Sequence, residues 1–309
     1  MEIFDIKSSM EDSKLILIPV PWDVTTSYKK GTAFAPQKII TASNQIDKFD
    51  IYTNNIWEKG ISVDNIPIDI LLKNDELREV YENLTPDNIF KINEGSNYLN
   101  NWLEEKSKYY LNKDKLVGVI GGDHSSPYGL IKSLSEKYNN IGVLHIDAHA
   151  DLRKSYQKLN YSHASIMYNV SLLNNISTII QVGVRDFCEE EYNYIFSNKK
   201  ITTFFDENIE WDYKFVKKAI EKLPENVYIS FDIDGLDVSL CPKTGTPVPG
   251  GLNFNQSIQL IKEVVESGRK IIGFDLCEVG ISENEFDESI GARVLYKLST
   301  YILKSNFNI

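Results

Sequence analysis

The stretch IGVLHIDAHAD, residues 141–151, is a short apolar run followed at once by acidic and imidazole side chains. Its apolar part, Ile141 to Ile146, has the length and composition of a buried β-strand. Residues two apart in an extended chain point to the same side, so Asp147, His149 and Asp151 should converge just past the strand. Capping of the next helix would explain one aspartate but not three ligand-type residues. We therefore predict a metal site here.

Apolar runs of strand length recur along the chain, with helix-length amphipathic segments between them. The other predicted strands are Leu15 to Ile18, Leu116 to Ile120, Thr178 to Val184, Ile201 to Phe205, Val227 to Phe231 and Ile271 to Leu276. The predicted helices are Pro127 to Tyr138, Tyr213 to Leu223, Asn255 to Ser267 and Phe286 to Leu303. This alternation predicts an α/β fold, a three-layer α-β-α sandwich with a mainly parallel central sheet.

No repeat or linker divides the chain, so we expect a single domain over residues 1–309. Residues 50–115 are the least regular part, rich in Asn and Glu, and are expected to form loops and surface helices.

The overall charge argues against some classes of partner. Lys and Arg number 33 against 44 Asp and Glu, a formal charge of -11, which disfavours nucleic acid and mildly favours a cationic small molecule. No run approaches the ~20 apolar residues of a membrane span, and the N-terminus lacks a signal-peptide pattern. The three cysteines, Cys188, Cys241 and Cys277, are widely spaced, as is typical of a reducing compartment. We expect a cytoplasmic protein.

Two further strand ends carry ligand-type side chains. VYISFDID, residues 227–234, ends in Asp232 and Asp234, and this pair alone fits solvated loop aspartates as well as a cation site. GGDHS, residues 121–125, places His124 after a strand, where paired glycines allow a tight turn. Open parallel sheets bind ligands at the carboxyl ends of their strands, so these pieces support one another. Four aspartates and two histidines without a thiolate favour a pair of ions such as Mn²⁺.

The chain has four histidines, all in this region. His145 lies deeper in its strand than Asp147 and is interpreted as a packed histidine that orients a ligand, a role also considered for Asp123. His163, in YSHAS, should begin a helix.

Six motifs of the chain, taken together, resemble those of a known protein family. GGDHS, DAHAD, SHAS, SFDIDGLD, TGTPVPGG and GFDLCEV, in this order, resemble the ureohydrolase superfamily of arginases, agmatinases and formiminoglutamases over residues 14–303. PVPWDVTTSYKKGTAFAP, residues 19–36, resembles the family's substrate-side loop and the helix after it. An arginase-like fold is therefore implied.

The resemblance also implies roles for individual residues. It assigns one Mn²⁺ to His124, Asp147, Asp151 and Asp232. It assigns the other Mn²⁺ to Asp147, His149, Asp232 and Asp234, so that Asp147 and Asp232 bridge. The catalytic residues would be Asp151, Glu278 and His163. Glu278 would bind the guanidinium of the substrate, and His163 would pass a proton to the departing amine. A hydroxide bridging the two ions would attack the guanidinium carbon, releasing urea and an amine.

The resemblance leaves the substrate open. LRKSYQKLNYSHAS, residues 152–165, lacks the Asn-rich segment of arginases and is closer to agmatinases, which favours agmatine hydrolysed to putrescine, a step of polyamine metabolism. Guanidinobutyrate, guanidinopropionate, arginine and formiminoglutamate are alternatives, because Arg153 or Lys154 would suit a substrate carboxylate unless both are solvated. A zinc deacetylase and a non-catalytic binding homologue are weaker alternatives. The resemblance implies a homo-oligomer, a trimer or hexamer.

Overall fold

One sheet of parallel strands runs through the centre of the molecule. The computed structural model describes residues 2–307, and the eight strands of this sheet are arranged in the order β2-β1-β3-β8-β7-β4-β5-β6. They are β1 (Leu15–Pro19), β2 (Ile61–Val63), β3 (Leu116–Ile120), β4 (Ile141–Ile146), β5 (Ile176–Val184), β6 (Ile201–Phe205), β7 (Asn226–Asp232) and β8 (Lys270–Cys277). Every strand pair is parallel, which confirms the predicted α/β class.

Helices cover both faces of the sheet. They are α1 (Ala35–Ala42), α2 (Ile68–Tyr81), α3 (Pro86–Leu111), α4 (Tyr128–Lys137), α5 (Ile166–Ser171), α6 (Glu189–Ser197), α7 (Tyr213–Glu221), α8 (Phe254–Glu266) and α9 (Phe286–Asn306). Within residues 2–307, none of these helices is both long enough and apolar enough to cross a membrane.

Two apolar cores result from the alternation of side chains along the strands. Leu15 and Leu17 of β1 face one core, formed with α1, α7, α8 and α9. Ile16 and Ile18 face the other, formed with helices α2 to α6. Since successive side chains of a strand point to opposite faces, a strand covered on both sides must be apolar throughout. The three-layer sandwich predicted from the sequence is confirmed.

The prediction that residues 50–115 form only loops and surface helices was wrong. The region contains β2, which extends the sheet, and the long helix α3 buries Ile92, Leu99 and Leu103 in the core rather than lying only on the surface. β2 has three residues, too few to show a strand pattern. The apolar pattern alone did not predict α1, α5 and α6. The family resemblance implied a helix after the loop of residues 19–36, where α1 begins at Ala35, and the start of a helical segment at His163 was predicted.

Asp64 connects the end of β2 to α3. Its Oδ2 atom accepts a hydrogen bond from the Tyr110 hydroxyl at 2.7 Å and lies 2.8 Å from the Lys106 ammonium. Burial alone would raise the pKa of the Asp64 carboxyl, but the bonds from Lys106 and Tyr110 outweigh burial and lower the pKa. The ionised carboxylate therefore stabilises the contact between β2 and α3.

Replacing Asp64 by Asn should lower the free energy of unfolding at pH 7 by about 1–3 kcal/mol, because a charge-assisted partner of Lys106 is lost. A depressed carboxyl pKa contributes stability that is complete above the unfolded value, near 3.8, and is lost as the pH falls through the folded pKa. The difference between wild type and Asp64→Asn should therefore narrow below about pH 4. Urea unfolding of both proteins between pH 7 and pH 3 measures this difference in the free energy of unfolding.

Glu105→Gln, at an exposed position on α3, is the matched control and should change stability by less than about 0.5 kcal/mol. A wild-type advantage over Asp64→Asn that does not change with pH would show that the carboxylate charge is not the source of the stability.

Candidate metal centre

The ligand residues predicted from the sequence lie at the carboxyl ends of four neighbouring strands, β3, β8, β7 and β4. The loop after β3 carries His124, β7 ends at Asp232 and leads to Asp234, and the loop after β4 carries Asp147, His149 and Asp151. Glu278 directly follows β8. Parallel strands place these ends along one edge of the sheet, which brings residues that are distant in sequence together.

Three carboxylates surround one nitrogen of His124. Its Nδ1 atom lies 3.0 Å from an oxygen of Asp147, 3.1 Å from one of Asp151 and 3.2 Å from one of Asp232. All four side chains are buried. These are the four residues that the resemblance assigns to one ion.

His149 forms a second group with two aspartates. Its Nδ1 atom lies 3.1 Å from Oδ2 of Asp234 and 3.5 Å from Oδ1 of Asp147. Asp147 therefore contributes one oxygen to each group. Oδ2 of Asp234 is buried and has no hydrogen-bond partner. An orphaned carboxylate oxygen beside an imidazole nitrogen is the arrangement expected where a cation binds.

The cluster is electrostatically unbalanced. Burial, followed by the charges of Asp234 and Asp147, raises the pKa of Asp232 well above its ordinary value. Burial would lower the pKa of His124, but its hydrogen bonds to the surrounding aspartates outweigh burial and raise it. Four carboxylates this close together require positive charge between them. The donor set, carboxylate oxygens with imidazole nitrogens and no thiolate, therefore fits divalent ions of the Mn²⁺ type.

Polar side chains from the strands hold the rings of His124 and His145 by hydrogen bonds. Nε2 of His124 lies 2.9 Å from the Ser230 hydroxyl, which in turn donates to Asp275 at 3.2 Å. His145 lies between Asp147, 2.8 Å from Nε2, and the Gln181 amide, 3.0 Å from Nδ1, consistent with a packed histidine.

Sequence reasoning missed these orienting partners. Ser230, Asp275 and Gln181 are polar residues inside otherwise apolar strands, and that interruption was the available signal. Asp123 accepts from the Thr25 hydroxyl at 2.8 Å and the Ser125 hydroxyl at 2.5 Å, so it holds loops rather than facing the cluster.

Glu278 presents one free oxygen in a buried space. Oε1 accepts from the backbone N–H of His124 at 3.0 Å, whereas Oε2 is buried and has no hydrogen-bond partner. A Cβ atom on residue 245 would lie 2.5 Å from Oε2, so only glycine at this position leaves the space open. Burial, then the charges of Asp123 and Asp234, raises the pKa of Glu278 well above its ordinary value. A cationic ligand would relieve this cost.

Two of the site carboxylates stand on strained backbone. Asp151 has φ 53° and Glu278 has φ 60°, the left-handed region that non-glycine residues rarely adopt. Such strain persists where the surrounding structure holds it, and it concentrates at functional sites.

His163 stands beside the cluster and is held mainly by its backbone. Its N–H donates to the Thr25 hydroxyl at 2.9 Å, and its Nε2 atom lies 3.4 Å from the Ser27 hydroxyl. Its Nδ1 atom is buried and has no hydrogen-bond partner, and the ring packs edge-on against Tyr156 at 5.8 Å. Burial, reinforced by the nearby His149, lowers the pKa of His163 to about 3, so the ring is neutral at neutral pH.

A cavity of about 270 Å³ opens over this edge of the sheet. Its walls include His149, Asp151, Arg153, Tyr156, His163, Asp186, Phe187 and Glu191, together with Ser27, Tyr28, Thr246, Pro247 and Val248. The cavity therefore connects members of the cluster and His163 to solvent.

Arg153 lies in the cavity wall beside a carboxylate. Its Nε atom lies 3.6 Å from Oε2 of Glu191, and its guanidinium stacks over Tyr156 at 5.1 Å. Glu191 is buried and also accepts from the backbone N–H of Leu152 at 2.9 Å. The charge of Arg153 is thus compensated within the protein. Lys154 is exposed and does not line the cavity.

The fold and this cluster together define the class: a three-layer α/β protein with a parallel sheet, whose buried carboxylates and imidazoles gather at the carboxyl ends of the strands. The family is then identified from the sequence. The model of the arginase family matches residues 13–300, and the chain belongs to the arginase family. This confirms the resemblance found in the motifs.

Individual relatives agree with this assignment. The chain is 29% identical over 286 residues to the N(1)-aminopropylagmatine ureohydrolase of Thermus thermophilus, covering 93% of this chain and 89% of the relative. It is 30% identical over 278 residues to the agmatinase of Pyrococcus horikoshii, covering 87% and 85%. The solved agmatine ureohydrolase of Thermoplasma volcanium matches with a TM-score of 0.77 at 21% identity, over 98% of this chain and 94% of that one, which confirms the arginase-like fold.

Asp232→Asn tests whether the cluster binds cations. The amide keeps an acceptor for the Asp234 N–H but removes one of the repelling charges, so the metal-free variant should be at least as stable as metal-free wild type. Saturating Mn²⁺ should raise the Tm of the wild type by about 5 °C or more and that of the variant by much less. Differential scanning fluorimetry with and without chelator, with metal analysis, measures both effects.

Asp237→Asn is the matched control, because Asp237 accepts from Ser239 in the same loop but lies outside the cluster. An equal Mn²⁺-induced rise in Tm for wild type and Asp232→Asn would contradict the cation site.

Proposed function

We propose that the chain is a binuclear manganese ureohydrolase that cleaves a small cationic guanidino compound to urea and an amine. One observation carries this proposal: Oε2 of Glu278 is buried, unpartnered and next to the carboxylate cluster. A guanidinium is a planar cation with N–H donors that match a carboxylate, so it would satisfy this oxygen and its charge together. Family membership supports the reaction class.

The residues that would hold the two ions are those of the two groups. The first set is His124, Asp147, Asp151 and Asp232. The second set comprises Asp147, His149 and Asp234, with Asp232 proposed to bridge. When bound, the ions supply Lewis acidity and make hydroxide available at neutral pH.

The protein's own groups orient the substrate and handle the proton. Glu278 would fix the guanidinium in the space that Gly245 leaves, with Oε1 anchored by the His124 N–H. Asp151, rigid in its left-handed conformation, faces both the cluster and the cavity. His163 lies in the wall of the cavity with an unpartnered Nδ1 atom, and we propose that it passes a proton to the departing amine.

The lining of the cavity favours a cationic substrate tail. Asp186 contributes a carboxylate and Tyr28 and Phe187 contribute aromatic rings, while the charge of Arg153, the one Lys or Arg among the lining residues, is offset by Glu191. Carboxylates and aromatic rings attract ammonium groups, whereas a tail carboxylate would meet repulsion. We therefore propose agmatine as the substrate and putrescine as the amine product, which places the reaction in polyamine metabolism.

N(1)-aminopropylagmatine is a second candidate. Asp186 and Tyr28 lie at the mouth of the cavity with side chains that are largely exposed, 67% for Asp186 and 71% for Tyr28, so a longer tail would place its additional ammonium beside them. The relative from Thermus thermophilus carries the name of this substrate.

Urea release from Mn²⁺-reconstituted protein tests the function. Agmatine and N(1)-aminopropylagmatine should be turned over with kcat/KM at least about tenfold, or 1.4 kcal/mol, above guanidinobutyrate and arginine, because their tails carry no carboxylate. Glu278→Gln should retain its metal but lose urea release, since the amide no longer carries the charge that the guanidinium needs.

Preferential turnover of guanidinobutyrate would contradict the cationic tail. One tightly bound Zn²⁺ per chain together with deacetylase activity would contradict the proposal and favour a zinc deacetylase. Two metals per chain with no urea from any guanidino compound would favour a binding role.

His163→Ala should lower kcat by about 10²–10⁴, the usual contribution of a general acid–base group, and leave the metal content unchanged. Steady-state kinetics with agmatine and metal analysis measure the two quantities. Tyr156→Phe keeps the ring that packs against His163 and is the control. A normal kcat for His163→Ala would show that the proton leaves by another route.

A further inference from the structure

Helix α2 contacts the loop that borders the cavity mainly through one arginine, Arg78. This loop, here called the front loop, comprises residues 23–28. Nη1 of Arg78 donates to three carbonyl oxygens of the front loop, at 3.0, 3.0 and 2.9 Å, those of Asp23, Val24 and Thr26. The guanidinium also lies 4.8 Å over the ring of Tyr81.

The front loop supports His163. The Thr25 hydroxyl accepts from the His163 N–H at 2.9 Å and donates to Asp123 at 2.8 Å, and the Thr25 N–H donates to the same Asp123 oxygen at 3.0 Å. The Ser27 hydroxyl lies 3.4 Å from Nε2 of His163. A shift of the front loop would therefore move or release His163.

The front loop also borders the space in front of Glu278. A Cβ atom on residue 245 would lie 2.5 Å from Oε2 of Glu278 and 3.3 Å from Cγ2 of Thr26, so Thr26 and Glu278 flank the same small space. The Thr26 hydroxyl is buried and has no hydrogen-bond partner. Both the groups proposed to handle the guanidinium and the proton thus depend on where this loop lies.

The convergence of three carbonyl groups calls for a cation. Carbonyl oxygens carry partial negative charge, and buried ones that lack a donor cost free energy. The front loop lies outside the helices and strands. The Asp23 carbonyl also accepts from the Thr26 N–H at 3.2 Å, and one guanidinium nitrogen contacts all three carbonyl oxygens. A second tie, from the Asp23 N–H to Oδ1 of Asn74 at 2.7 Å, also comes from α2.

We propose that Arg78 is a positioning residue of the reaction: it holds the front loop in the conformation that places His163, without lining the cavity itself. Its catalytic consequence rests on the proposed function, whereas its effect on the loop does not.

The experiment compares Arg78→Met with Arg78→Lys. Methionine removes all the donors, so hydrogen–deuterium exchange should increase across residues 22–31 and kcat for agmatine should fall by about 100-fold. An ammonium has three N–H donors, enough for the three carbonyls, so Arg78→Lys should restore kcat to within about tenfold of wild type.

Arg269→Met is the matched control. Arg269 also donates to backbone carbonyls, those of Leu223 and Glu221 at 2.7 and 3.0 Å. It directly precedes β8 and therefore lies at the amino ends of the strands, away from the cluster at their carboxyl ends. This variant should loosen only residues 221–226 and leave kcat unchanged.

A coupling measurement separates positioning from loss of folded protein. If Arg78 acts through His163, Arg78→Met should lower kcat by less than about threefold in a His163→Ala background, because the two effects are not independent. A full 100-fold loss in that background would overturn the positioning role. Should Arg78→Met fail to fold, Arg78→Gln takes its place. Because its neutral amide keeps two N–H donors, the rise in exchange and the loss of kcat should have the same direction and a smaller size.

The remaining outcomes separate this proposal from the proposed function. If the wild type releases no urea, the proposed function fails, and the exchange measurement alone decides whether Arg78 holds the loop. Unchanged exchange at residues 22–31 in Arg78→Met would overturn the proposal, and so would an unchanged kcat in an active enzyme.

Discussion

Mutual repulsion among four buried aspartates is the constraint on which the rest of the structure depends. Asp147, Asp151, Asp232 and Asp234 crowd around two imidazoles at one edge of the sheet, where water does not screen them. Adjacent parallel strands can hold such groups together because strand pairing and two apolar cores supply the stabilisation that the cluster lacks. The resulting site has a strong electrostatic requirement for cations, which is the property its proposed chemistry needs.

The loops at the carboxyl ends of the strands set the orientation of the carboxylates and the shape of the site. Left-handed backbone at Asp151 and Glu278 aims two carboxylates from different strand ends, and glycine at 245 keeps the space before Glu278 open. In the cavity wall, the carboxylate of Glu191 offsets the charge of Arg153. The same kind of charge compensation is repeated where Arg78 meets three carbonyl groups.

The sequence predicted the sheet better than its surroundings. Ile141 to Ile146, like the other runs buried on both faces, is apolar except for one residue, His145, and such strands are readable because no alternation is required. β2 was not predicted because three residues carry too little pattern, and α2 has only a weak apolar face. Its stability comes from contacts with α3 and the front loop, which are tertiary.

The sequence by itself determined the α/β class, the strand ends and the types of ligand, because hydrophobic period and side-chain chemistry are local properties of the chain. Only the tertiary structure decided which charges meet. Arg153 is followed by Lys154 in sequence, yet one is paired with Glu191 at the cavity and the other is exposed. Oε2 of Glu278 has no partner because of how Gly245 and the His124 loop pack around it. Coulomb energy depends on distance and on exclusion of water, and both are set by packing between segments far apart in the chain.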